Sequence, residues 1–283
     1  MSFQRLGFFH RDDAILADFL HGFGNDGTDG LIVVGADGAD LGNHVSGNRL
    51  GELVEFALDA VAFFIEAATN GGDVLAVPAS LSDDHAALIE PLAVATHDVR
   101  RADVKAGDRV IVFGGGPIGT LIALVCRHRG ARVAVAEINP FRLEMLARLG
   151  LETIGPDRDA ITFANDWSGG TGVDVAFEVT GQQVAVTTVT DVVRVWGTVS
   201  IVAIHAEPMR VNLYQMFARE LTMHGSRLYA REDWEEAIRL AASGAVPVGP
   251  LVSRRVPLEA LQEGMETALA GGAVMKVLID LTA

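Results

Sequence analysis

The chain is 283 residues long and carries 22 basic against 37 acidic side chains, a formal net charge of −15, with 49% apolar residues and one cysteine. That length holds one large domain or two ordinary ones, and the composition is that of a globular rather than a disordered protein. The acidity argues against nucleic acid as a partner, and a single cysteine excludes an intramolecular disulfide and any multi-thiolate zinc or iron–sulfur site.

Residues 1–89 hold 3 basic and 14 acidic side chains, a net charge of −11, against −4 for residues 90–283. The two parts therefore obey different constraints. Met1 to Asp13 has no apolar core of signal-peptide length. Leu31-Ile-Val-Val34 reads as a short strand between two Gly/Asp turns, Gly24–Gly30 and Gly35–Asp40. Two imperfect copies are too few to stack as a calcium-binding β-roll, which leaves acidic turns around a strand. Leu53–Ala68 reads as one amphipathic or buried helix. The most membrane-like stretch, Val54–Thr69, is interrupted by Glu55, Asp59 and Glu66, and it is shorter than the ~20 apolar residues a bilayer requires. No membrane partner and a cytoplasmic location are expected.

From Arg109 onward strands alternate with helices. Strands are expected at Arg109–Phe113, Arg132–Ala136, Glu152–Ile154, Val173–Glu178, Thr198–Ala203 and Leu221–His224. Helices are expected at Ile118–His128, at Pro140–Leu149 with Pro140 in its first turn, and at Gln182–Val195. This rhythm predicts a parallel sheet covered on both faces. Two more helices, Arg231–Ser243 and Leu258–Leu269, and a strand at Val274–Ile279 finish the chain.

The strongest chemical signal is Gly114-Gly115-Gly116-Pro117-Ile118-Gly119, set between a strand and a helix. In such a loop Gly114 makes the tight turn, Gly116 lets backbone approach a pyrophosphate, and Gly119 lets helix and sheet pack closely. Glu137 ends the next strand, 18 residues past Gly119. A carboxylate there accepts hydrogen bonds from ribose hydroxyls and repels a 2′-phosphate, which favours NAD over NADP. There is no Gly-x-Ser-x-Gly elbow and no His-Glu-x-x-His pair. Cys126 falls inside the helix after the loop, where a buried inert thiol is expected.

Ile89–Ala95, His97–Ala102, Lys105–Val110, the glycine loop, Glu137–Arg142, Phe177–Gly181, Val202–His205 and Glu220–Tyr229 together resemble the zinc-containing medium-chain alcohol dehydrogenases. The likeness is greatest to the sorbitol, butanediol and threonine dehydrogenase branch and covers roughly residues 85–283. It implies an α/β fold: a doubly wound parallel Rossmann sheet with a second, GroES-like domain that is incomplete here. The expected division is an atypical acidic segment at 1–89, an NAD-binding domain at 90–230, and a segment at 231–283 that returns to the catalytic domain. The resemblance places Pro117 and Ile118 along the pyrophosphate, Glu137 on the ribose and Arg142 at the adenosine end. It places Val202, Ala203 and Ile204 in the nicotinamide pocket, and Ser226 and Arg227 across the cofactor cleft. Glu90 corresponds to a glutamate beside the family's catalytic zinc, with a plain helix-start acid as the alternative, and His97 reads as structural.

The implied activity is hydride transfer between NAD and a secondary alcohol, diol or polyol, or the matching ketone, in a homo-oligomer (dimer or tetramer). Upstream of Gly71 the likeness fails. Residues 1–89 contain no cysteine and no Gly-His-Glu motif, and His10, His21, His44 and His85 lack ligand spacing. A truncated or replaced catalytic domain is therefore expected, with most zinc ligands absent and no catalytic residue assignable. The alternatives are a non-catalytic NAD-binding remnant and a zinc-independent medium-chain reductase.

Overall fold

The computed structural model describes residues 31–35, as backbone, together with 75, 77–205 and 207–280. The expected Gly/Asp turns, the Leu53–Ala68 helix and His10, His21 and His44 lie outside the described residues. The elements run β1 (Leu31–Gly35), α1 (Asp83–Ala86), α2 (Ile89–Arg101), β2 (Arg109–Phe113), α3 (Pro117–His128), β3 (Arg132–Ala136), α4 (Pro140–Arg148) and β4 (Glu152–Ile154). They continue through α5 (Ala160–Ser168), β5 (Val173–Glu178), α6 (Gln183–Val192), β6 (Val193–Ile201), α7 (Leu213–Ala218), β7 (Thr222–Gly225) and α8 (Arg231–Ala242). The last are β8 (Val252–Pro257), α9 (Leu261–Ala270) and β9 (Lys276–Asp280).

Six strands form one parallel sheet in the order β4-β3-β2-β5-β6-β7. Alternation along each strand sends its side chains to two separate cores. Val110, Val112, Val175 and Phe177 face α2, α3 and α8, whereas Ile111, Phe113, Ala176 and Val199 face α5 and α6. The sheet is therefore the doubly wound α/β sheet expected. Its order reverses between β2 and β5, and the glycine loop leaves β2 at that point. Crevices of this kind, at the carboxyl ends of strands, are where open α/β sheets bind ligands. A second, three-stranded sheet has the order β1-β9-β8, with β1 antiparallel to β9. Its β8 is tied to the N-terminal side by Arg255, which reaches Asp84 at 3.1 Å.

Asp174, near the start of β5, bolts three strands together. It accepts from Arg109 N at 2.7 Å and from Arg194 Nε at 2.7 Å. Burial pushes its carboxyl up, but those hydrogen bonds and the two arginine charges outweigh it and hold the group below the usual carboxylate range. The resulting stability is present above the ordinary Asp pKa and is lost as pH falls through the depressed one. Asp174→Ala should therefore cost about 1–2 kcal/mol at pH 7. Urea melts should show the gap to wild type closing on acidification, and a gap that persists at pH 2 would contradict the account.

The expected boundaries of α6 and of the strand after it move. The helix expected at Gln182–Val195 stops at Val192, and β6 starts at Val193 and ends at Ile201, short of the expected Ala203. Val193 pairs with Val173 and Thr198 with Val175, so the residues between them, with Trp196 at φ +58°, form an irregular bulge inside a strand. Pairing with β5 overrides the local helical pattern there.

Candidate functional site

The glycine loop is built by close approach. Gly114 N donates to Ala136 O at 2.8 Å, which holds the end of β2 against β3. A Cβ on Gly119 would stand 1.9 Å from Gly114 O, so the first turn of α3 can lie on the loop only with glycine there. A Cβ on Gly115 would meet Leu146 Cδ1 at 2.7 Å and the Glu137 carboxylate at 3.1 Å. Gly116 is the N-cap of α3 and Pro117 its first residue. No side chain caps this helix, and its first turn carries no acid. By contrast α4 is capped by Asn139 and α5 by Asp159. The positive end of α3 is thus presented as bare backbone, the arrangement that suits an anion. Ile118, partly buried, follows in the same turn.

Glu137 stands directly beyond the end of β3, and only 8% of it is exposed. Its Oε2 accepts from Gly115 N at 2.8 Å, and its Oε1 accepts from Ile138 N at 2.6 Å and Asn139 N at 2.8 Å. Arg142 Nη1 lies 3.7 Å from Oε2. Loop, carboxylate and arginine, read separately in the sequence, are therefore brought to one place. Gly115 was missed as a member of this group. The signal for it was its position between the two assigned glycines.

The other end of the crevice is organised by Glu178, the last residue of β5, which is wholly buried. Its carbonyl accepts from Val202 N at 2.9 Å and Ala203 N at 3.1 Å, fixing the segment that leaves β6. Its Oε1 accepts from Thr180 N at 2.8 Å, Thr180 Oγ1 at 2.5 Å and Gly181 N at 3.0 Å. His205 Nε2 is 3.1 Å from Oε2. Val202 and Ala203 are half-buried and Ile204 is 80% exposed. The three lie beyond the strand, not in sheet core. A groove of about 420 Å³, lined in part by Val186, Ile201, His205 and Met223, opens on the α6 side. The chain leaves β7 through Ser226, which is buried, and Arg227, which is exposed. Ser226 N donates to Ile201 O at 2.9 Å, so this exit sits beside that of β6.

The remaining sequence candidates divide. His97 Nδ1 is 2.9 Å from Asp233 Oδ2, a link between α2 and α8. Cys126 is wholly buried in α3, and burial raises its thiol pKa far above the ordinary value, so the thiol is inert. Glu90, partly buried, stands in the first turn of α2. Among the described residues, no three His, Cys, Asp or Glu side chains are grouped to hold a metal ion. The described residues by themselves therefore do not fit a zinc site, which needs about three protein ligands. Among them, too, no helix is long and apolar enough to cross a membrane.

Residues 117–243 match the family model described as "Zinc-binding dehydrogenase". The chain is 38% identical over 208 residues to a 2-dehydro-3-deoxy-L-galactonate 5-dehydrogenase of Pseudoalteromonas atlantica, covering 73% of this chain and 61% of that protein. It is 32% identical over 202 residues to an (R,R)-butanediol dehydrogenase of Neisseria gonorrhoeae, covering 70% and 57%. Among solved structures, 2R,3R-butanediol dehydrogenase from Bacillus subtilis superposes with a TM-score of 0.68 at 31% identity, covering 72% of this chain and 59% of that one. The chain thus spans about three fifths of the length of these relatives. Sheet order, glycine loop and sequence agree: through its six-stranded sheet and the elements around it, the chain belongs to the zinc-containing medium-chain alcohol dehydrogenase family.

Proposed function

We propose that this chain is an NAD-dependent oxidoreductase that moves a hydride between the cofactor and a secondary alcohol, diol or polyol, or the corresponding ketone. The observation that carries the reading is the Glu137 carboxylate, fastened to Gly115 N at 2.8 Å beside the uncapped start of α3. On this reading a ribose acceptor and a pyrophosphate site stand next to each other at the switch point of the sheet, which the bare helix start and the adjacent carboxylate support. Gly114, Gly116, Pro117, Ile118 and Gly119 form the pyrophosphate side, Glu137 takes the ribose hydroxyls, and Arg142 borders the adenosine end. Val202, Ala203 and Ile204 line the nicotinamide end, and Ser226 and Arg227 close the cleft.

When bound, the nicotinamide supplies the hydride acceptor or donor. The chain's own residues bind and orient it. Glu178 holds both Val202–Ala203 and Thr180–Gly181, so one buried residue sets the spacing of the two backbone segments at that end. The family relationship extends the reading to a small-molecule alcohol or ketone substrate, a cytoplasmic location and a homo-oligomer. In support of self-association, β7 is an edge strand among the described residues, and Leu213, Tyr214 and Phe217 on the nearby α7 are each more than 70% exposed.

Titration with NADH and NADPH, followed by cofactor fluorescence, tests the cofactor half of the proposal. Saturable NADH binding, tighter than that of NADPH, is expected. Binding of neither would refute it. Metal analysis and turnover of a panel of diols and polyols on the same preparation test the reaction.

A further inference from the structure

Four near-consecutive residues of α2 grip one short turn from both ends. Arg101 Nε donates to Gly225 O at 2.8 Å. Ser226 Oγ donates to Asp98 Oδ1 at 2.5 Å. Asp233, in the first turn of α8, accepts from Ala230 N at 2.7 Å, and it is held by Arg100 Nε at 2.7 Å and His97 Nδ1 at 2.9 Å. Between these anchors Leu228 has φ +63°, a left-handed conformation that a branched residue adopts only when its surroundings impose it. Tyr229 stands edge-on to Trp234 with ring centroids 5.2 Å apart, which adds a packed anchor next to the strained residue. The strained turn leaves β7 beside the exits of β5 and β6, where the proposed cleft closes.

Asp98 is the unusual member of this grip. It is 0% exposed, and its Oδ2 has no hydrogen-bond partner among the described residues. Burial chiefly, opposed by the Ser226 hydrogen bond and assisted by the Asp233 charge, pushes its carboxyl up to about 7. Asp233 moves the other way. Burial acts against it, but Arg100, Ala230 N–H and His97 keep it ionised below the usual range. The other titratable and charged groups on the packed elements are Cys126 on α3, which feels the Asp98 charge, Glu232 on α8, which pairs with Arg100, His224 on β7, which feels Arg101, and His97, Arg100 and Arg101 on its own helix.

We infer that Asp98 is a positioning residue: its neutral carboxyl locks the Gly225–Ala230 turn in the strained form that shapes the cofactor cleft, and its ionisation loosens that turn. The effect on cofactor binding rests on the proposed NAD reading, whereas the locking of the turn does not. An ionised Asp98 faces the Asp233 carboxylate in a dry site, and opening of the turn returns it to water. The folded group's pKa lies above that of an exposed Asp, so the lock is strongest below pH 4 and weakens as pH rises towards 7. With those two values, opening becomes about tenfold more frequent between pH 6 and pH 8.

Hydrogen exchange of the Ser226–Tyr229 amides, corrected for intrinsic rates, reads this directly in the whole chain. In wild type, opening should be about tenfold greater at pH 8 than at pH 6, with the Val110–Val112 amides of β2 as the unaffected reference. Asp98→Asn keeps the acceptor without the charge and should abolish the pH dependence. Asp98→Ala should open the turn at both pH values and weaken NADH binding by about tenfold, with Asp98→Asn close to wild type. Identical exchange in all three proteins would overturn the lock. Altered exchange with equal NADH affinity in all three would overturn its role in the cleft. If wild type binds no NADH, the proposed function and the cleft role both fall, while the exchange data still decide on the lock.

Discussion

Glu178→Ala should lower stability by about 3–5 kcal/mol, whereas Glu178→Gln should cost about 1 kcal/mol. The difference follows from what each variant leaves behind. Alanine removes the acceptor of Thr180 N, Thr180 Oγ1 and Gly181 N together, and the side chain it replaces is fully buried. Water cannot enter freely to replace three lost bonds, so the donors carry their desolvation cost unrelieved. Glutamine retains Oε1 for all three and changes only Oε2, which makes no hydrogen bond among the described residues. Urea denaturation at pH 7 measures both values. Equal losses for the two variants would show that the hydrogen-bonded oxygen is not what matters. Because the Glu178 carbonyl also holds Val202 and Ala203, the alanine variant should in addition bind NADH more weakly than its residual folded fraction explains.

Most of the six-stranded parallel sheet was legible because its signals are local. Arg109–Phe113 and Arg132–Ala136 are short apolar runs that end in glycine or a capped helix, and each strand lies where the pattern puts it. Elements held by tertiary contacts were not legible. Within α5, Ala160–Ser168, the Thr, Asn, Asp and Ser residues are poor helix formers, and the buried Phe163 and Ala164 secure it against the sheet. β8 carries Arg254 and Arg255 at its centre and Pro257 at its end, as an edge strand does, which hides any alternation.

The site divides in the same way. Gly119 and Glu137 are readable because a strand, a loop and a helix fix their spacing. Glu178 ends an apolar strand and Asp98 sits mid-helix, and the sequence does not reveal that either is buried. Their roles depend on partners brought close by folding, such as Ser226, 128 residues from Asp98. Glu90 is the opposite case: the family motif picks it out, but the described residues supply no companions for a metal ion.

Glu137→Ala is expected to weaken NADH binding by about 10- to 100-fold, since hydrogen bonds to a charged group are each worth about 1.5–3 kcal/mol and tenfold is about 1.4 kcal/mol. NADPH should lose less, because the carboxylate that would repel its 2′-phosphate is removed while Arg142, now 3.7 Å from that carboxylate, stays to meet the phosphate. The preference for NADH should therefore narrow. The alanine variant also removes the Gly115 N–H acceptor, so part of the loss could reflect a slack loop instead of a missing ribose contact. Glu137→Asp separates the two causes: it keeps the negative charge at the end of β3 but is one methylene too short to reach Gly115 N at 2.8 Å. Weaker binding of both cofactors with the NADH preference intact in Glu137→Asp, against a narrowed preference in Glu137→Ala, assigns discrimination to the charge and affinity to the loop contact. An unchanged preference in Glu137→Ala would show that the ribose is recognised elsewhere, and with it the assignment of this crevice to NAD would fail.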